Sequence, residues 1–267
     1  MLTNIYIKAS KQLIASTLLL LIINTNLYSN EYSYRKYIHV ENFYSSISKD
    51  CIEIGVKNNI PPATIMAMAG LESGYGRGYV AQITGNILSL GAFKSDKELP
   101  RVYLPYSKSL KTVLFDPKEI QKHSKNDLVW KKRPKSYKKD YRPTPYAGTI
   151  SNLELLKYDN QLKEKANKAC INDFATRWMS ILSNIKVFRD AKIWLNKEVS
   201  IKGTTVLFDE STNKKFINMI GGHPNSFNYR KTWPKKVNTI MRKAGLVDLA
   251  TDMYKDKKSF NQSWSNK

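Results

Sequence analysis

The stretch Pro61–Gly76, PPATIMAMAGLESGYG, constrains this chain more than any other. Pro61-Pro62 suits the opening turn of a helix, where the missing N–H leaves no hydrogen bond unmade. Ser73-Gly74-Tyr75-Gly76 suits its end. Between them Ile65, Met68 and Ala69 mark one helical stripe, and Glu72 falls on that same stripe. A carboxylate among buried apolar positions needs a partner or a task. It also stands at the helix C-terminus, where the macrodipole is negative. Desolvation and the dipole both disfavour its charged form, which predicts a carboxyl pKa raised toward that of a general acid. Gly74 and Gly76 remove bulk beside it and leave room for a substrate. The alternative is a Glu that faces solvent or pairs with one of the many lysines.

The flanking segments supply a helical frame. Val40, Phe43, Tyr44, Ile47, Cys51 and Ile54 keep helical spacing and predict a first helix that ends at Asn58-Asn59. Phe174, Trp178, Ile181, Leu182 and Ile185 predict another helix, as do Phe188, Ala191, Trp194 and Leu195. Pro234 opens a further helix with Val237, Ile240, Met241 and Ala244 on its face, closed by Gly245. Between Thr84 and Phe115 the apolar stretches are short and separated by turn residues, which predicts a small, irregular lobe. Its strand candidates are Arg101–Leu104 and Thr112–Phe115. Trp130–Pro143 (WKKRPKSYKKDYRP) is rich in Lys, Arg and aromatics, and Pro134, Pro143 and Pro145 oppose a long helix there. It is expected as an exposed basic, Pro-rich insertion near 125–150. Residues 255–267 are polar and expected to fray.

Charge and the first residues bear on location. Lys and Arg number 44 against 22 Asp and Glu, a formal charge of +22, so anionic partners are expected. Lys8 and Lys11 precede Leu13–Ile23 (LIASTLLLLII), and Leu27-Tyr28-Ser29 offers a cleavage point. This is the layout of a secretory signal over residues 1–29. The apolar run is shorter than the roughly 20 residues a membrane span needs, so no span is expected after cleavage; an uncleaved N-terminal anchor is the runner-up. Export favours anionic envelope polymers over nucleic acid as partners. It also permits a disulfide between Cys51 and Cys170, which otherwise stay as separate buried thiols.

The run Ala67–Gly76 resembles the A-x-x-E-S-G-[WY]-G signature of glycoside hydrolase family 73, the peptidoglycan-cleaving endo-β-N-acetylglucosaminidases of the lysozyme-like superfamily. That family's following N-[LI]-[FW]-G-[IL] element is similar to Asn86-Ile87-Leu88-Ser89-Leu90, with Ser89 in place of its Gly and Ala81 at its small upstream residue. Phe227-Asn228-Tyr229 ahead of Trp233-Pro234-Lys235-Lys236-Val237 resembles its late Tyr and closing helix, with Trp233 where Tyr is usual. The likeness spans Ser46–Phe115 and Phe216–Leu249. It implies a mainly α (α+β), lysozyme-like helical domain over residues 30–254, with a small β-containing lobe and a catalytic cleft between them. It also implies that Glu72 is the acid that protonates the glycosidic oxygen, and that Asn86 and Tyr229 (or Phe227) line the site; Tyr75, three residues after Glu72 in a glycine-flanked turn, is either an aromatic wall for a sugar ring or packed in the core. The family's second acid precedes a strand of the small lobe, where this chain has Lys111. Of Asp96, Glu98, Asp116 and Glu119 nearby, Glu98 is the choice; the substrate's own 2-acetamido group is the alternative nucleophile.

Other chemistries lack their residues. His39, His123 and His223 lie far apart with no HExxH, so neither metal nor cofactor is expected. There is no G-x-S-x-G elbow and no phosphate-binding loop. Two other functions stand beside the hydrolase. One is a lytic transglycosylase of the same superfamily, which the absence of a G-L-M-Q element opposes. The other is a non-catalytic, basic cell-wall-binding protein.

Overall fold

The computed structural model describes residues 32–132 and 141–265. The expected signal over 1–29 lies outside them, as do residues 133–140 of the basic strip. The described chain is mainly helical, with one small three-stranded antiparallel sheet, an α+β architecture.

Helix α1 (Ile38–Lys57) buries Val40, Phe43, Tyr44, Ile47, Cys51 and Ile54, the expected face. Helix α2 (Pro62–Ser73) starts on its proline and ends at Gly74, whose φ of 57° is the left-handed conformation of a helix C-terminus. Its burial is wider than a stripe. Every residue from Pro62 to Gly70 is buried, because Ala, Met and Ile clothe the whole circumference. The neighbours that cover it are α1, α9 (Glu210–Ile220), α10 (Trp233–Lys243) and α11 (Leu246–Tyr254). Helix α10 opens with Pro234 and buries Val237, Ile240 and Met241 as expected.

The small lobe holds β1 (Tyr103–Ser107), β2 (Thr112–Val113) and β3 (Leu128–Lys132), ordered β2-β1-β3. The first strand lies two residues later than its candidate stretch, and the second is shorter than expected. Strand β3 falls inside the expected insertion: Pro105 pairs with Trp130, and the Trp130 ring packs 5.7 Å from that of Tyr79. Asp127 fastens the lobe. It accepts from Ser107 Oγ at 2.8 Å and from Ser109 N at 2.8 Å, and lies 2.6 Å from His123 Nδ1. Helix α3 (Tyr79–Thr84) joins the lobe to the body through Tyr79 N, which donates to Phe115 O at 2.6 Å. Helix α4 (Pro117–Lys122) follows β2, and α5 (Thr144–Ala147) and α6 (Ile150–Leu155) come later in the chain.

Two expectations about helices are corrected. After α7 (Asn160–Asp173) the chain makes a π turn over Phe174–Trp178 and then leaves the helix, so that Leu182 is exposed. Ser180 accepts from Leu182 N and Ser183 from Ile185 N, local bonds that compete with helix before α8 (Lys186–Lys202) begins. The stretch after Lys255 does not simply fray. Helix α12 (Phe260–Ser265) buries Trp264 against Tyr44 and Phe260. The buried Arg35 guanidinium donates to the carbonyls of Ser263, Trp264, Ala244 and Gly245, gathering two helix ends around one cation. Cys51 and Cys170 are both buried, free thiols.

Candidate active site

Glu72 occupies the last turn of α2. Beyond it, Gly74, Tyr75 and Gly76 take successive φ values of 57°, 58° and 72°. This left-handed turn is why the glycines stand there. Ser73 braces it, donating to Ala69 O at 2.6 Å and accepting from Gly76 N at 2.8 Å. Ser89, which also has a positive φ of 49°, donates from its hydroxyl to Glu72 O at 3.2 Å.

Among the described residues, the carboxyl of Glu72 has one side-chain donor. Trp233 Nε1, at the start of α10 and 161 residues away in sequence, donates to Oε1 at 2.7 Å. The indole is buried, and Gly221 makes room for it: a Cβ there would lie 2.1 Å from the six-membered ring. Burial raises the Glu72 pKa above its usual value; the Trp233 hydrogen bond and the charge of Arg230 lower it, but less. Glu72 makes no ion pair among the described residues. Glu72 is thus half-buried with its pKa raised, and it pairs with no lysine among the described residues.

A cleft runs between the end of α2 and the small lobe, in two limbs that share Glu72, Ser73, Gly78 and Phe115. One limb, about 270 Å³, is walled by Tyr79, Leu90, Val102, Leu104 and Val113. The other, about 410 Å³, is walled by Arg77, Gln82, Asp116 and Lys118. Glu72 stands at their junction.

The other expected residues are placed differently. Glu98 is exposed, lies 3.9 Å from Arg101 and lines neither limb. The acid that shares a limb with Glu72 is Asp116, whose Oδ1 accepts from Lys118 N at 2.9 Å at the start of α4. Tyr75 lines neither limb; its ring lies edge-on to His39, Phe43 and Tyr44, the core-packing alternative. Asn86 reaches the lining, but its carboxamide is engaged: Nδ2 donates to Leu90 O at 3.0 Å, and Oδ1 accepts from Leu90 N at 2.9 Å. It shapes the loop instead of presenting a free amide. Tyr229 is exposed and lies against Arg230, while Phe227 packs against Trp233 in the core. Neither lines a limb, and Trp233 makes the contact with Glu72. The signal that could have found it was the aromatic at the opening of a Pro-started helix. Among the described residues no cluster of three or more His, Cys, Asp or Glu is placed to hold a metal ion.

Comparison of the chain with protein-family models, curated proteins and solved structures finds no match.

Proposed function

We propose that this protein is an exported peptidoglycan hydrolase, an endo-β-N-acetylglucosaminidase resembling glycoside hydrolase family 73 and built on a lysozyme-like body. It would work in the periplasm or outside the cell on glycan strands, with its positive charge favouring anionic envelope polymers. The observation that carries the reading is Glu72: a partly desolvated carboxyl, raised in pKa, without an ion pair among the described residues and set where two limbs of one cleft meet.

In this reading Glu72 donates its proton to the bridging oxygen as the bond from that oxygen to C1 of N-acetylglucosamine breaks. The departing sugar leaves as an alcohol. The carboxylate that forms is met by the Trp233 N–H and by the charge of Arg230, both of which favour the ionised state. C1 is then taken either by the substrate's 2-acetamido oxygen or by water drawn in by Asp116. Water completes the hydrolysis and leaves a reducing-end N-acetylglucosamine.

Digestion of purified sacculi with mass spectrometry of the released ends tests this. New reducing-end N-acetylglucosamine is expected. Anhydro ends would assign a transglycosylase, and binding without release would assign a wall-binding protein.

A further inference from the structure

The two limbs of the cleft differ in chemistry. Glu72 is the one charged residue lining the smaller, whereas the larger also carries two cations, Arg77 and Lys118. Arg77 stands on the left-handed turn after α2 and anchors itself by donating from Nε to Gly74 O at 3.3 Å. Lys118 stands in the first turn of α4, where the helix dipole disfavours a cation, so the helix itself does not account for its presence. Among the described residues neither forms an ion pair. Asp116, the carboxylate beside them, is engaged by the backbone N–H of Lys118 and not by its ammonium. Their combined field is felt at His39: its pKa is lowered first by burial and then by the charges of Arg77 and Lys118. Two cations with no ion pair among the described residues, set against the single carboxylate of Asp116 and next to a Glu72 that is neutral when poised as an acid, leave this wall net positive and make a site for an anion.

We propose that the limb lined by Arg77 and Lys118 binds a carboxylate carried by the glycan strand, on its peptide stem or on the lactyl group of a stripped sugar. This rests on the hydrolase reading and narrows it: the enzyme takes strands that still bear free carboxylates in preference to neutral ones. Arg offers a planar fork and Lys a mobile point charge, a pair suited to a carboxylate held at the cleft mouth.

The test is equilibrium binding to the Glu72→Gln protein, which separates binding from cleavage. Three soluble glycan oligomers are compared: intact with stems, intact with every carboxyl amidated, and stripped of stems by an amidase. Intact oligomers are expected to bind about tenfold more tightly than amidated ones at low salt, with the gap closing as salt rises. Adding Arg77→Gln and Lys118→Gln should abolish that preference, with circular dichroism and melting unchanged because both side chains are exposed. Removing the stem frees the lactyl carboxyl, so stripped oligomers that bind like intact ones show that the site accepts either carboxylate, and stripped oligomers that bind like amidated ones confine it to the stem. Equal binding of intact and amidated oligomers, or a preference that survives the double substitution, overturns the proposal. If the wild-type protein fails to cut sacculi while the preference persists, the hydrolase reading falls and the carboxylate site stands.

Discussion

Replacing Gly221 by alanine tests whether the contact between Trp233 and Glu72 is set by packing. An added Cβ would lie 2.1 Å and 2.2 Å from two atoms of the indole six-membered ring, about 1.3 Å short of ordinary contact at 3.4 Å. The ring is buried and cannot swing into solvent. Something must therefore move by an ångström or more, and the 2.7 Å hydrogen bond to Glu72 cannot survive a displacement of that size along its axis. Overpacking of this kind costs about 3 kcal/mol, which for a domain of this size lowers Tm by roughly 6–12 °C. Turnover of glycan should fall as well, because Glu72 loses the donor that orients it. The assay is calorimetric melting together with sacculus digestion. A double substitution separates the two effects: Trp233→Phe added to Gly221→Ala relieves the crowding and should recover much of the lost Tm, but not the activity. A Gly221→Ala protein with wild-type melting and wild-type turnover would refute the argument.

Three further outcomes follow from the geometry. Glu72→Gln should lower cleavage by about 10²–10⁴-fold, while Gln keeps an acceptor for the Trp233 N–H. It should also stabilise the protein at neutral pH. The folded state holds the Glu72 proton more tightly than the unfolded chain, so stability falls as pH rises from the ordinary 4.5 through the raised folded value. The variant's advantage should be absent below that window and complete above it; urea titrations that show no pH dependence in the difference would contradict the burial of Glu72. Asp116→Asn, which keeps the helix cap, should lower kcat if Asp116 draws in the water and leave it unchanged if the acetamido group attacks, whereas Glu98→Gln should leave sacculus digestion at the wild-type rate. Thiol labelling of the denatured, unreduced protein should find Cys51 and Cys170 both reactive; no labelling would mean that they are bridged.

The parts of this protein that local pattern determined are those whose partners lie within a few residues. The buried face of α1, the proline starts of α2 and α10 and the left-handed stop at Gly74 follow from spacing and backbone preference. So does the raised carboxyl of Glu72, since its place in the helix turns it toward the packed side, where burial raises it. Direction and distance were decided elsewhere. Tyr75 is three residues from Glu72, but its ring packs against α1 and lines neither limb of the cleft. Asn86 faces the cleft yet bonds to its own loop. Glu98 and Asp116 look alike as acids near short strands, and only the folded lobe brings Asp116 to the limb beside Glu72. The strand Leu128–Lys132 exists because β1 is there to pair with it, and Trp264 is buried because Tyr44 and Arg35 receive its helix. The contact from Trp233 to Glu72 joins residues 161 positions apart through a gap that a glycine leaves open. Helical periodicity repeats every few residues and carries no information about which distant side chain will fill such a gap; that is settled only when the core packs.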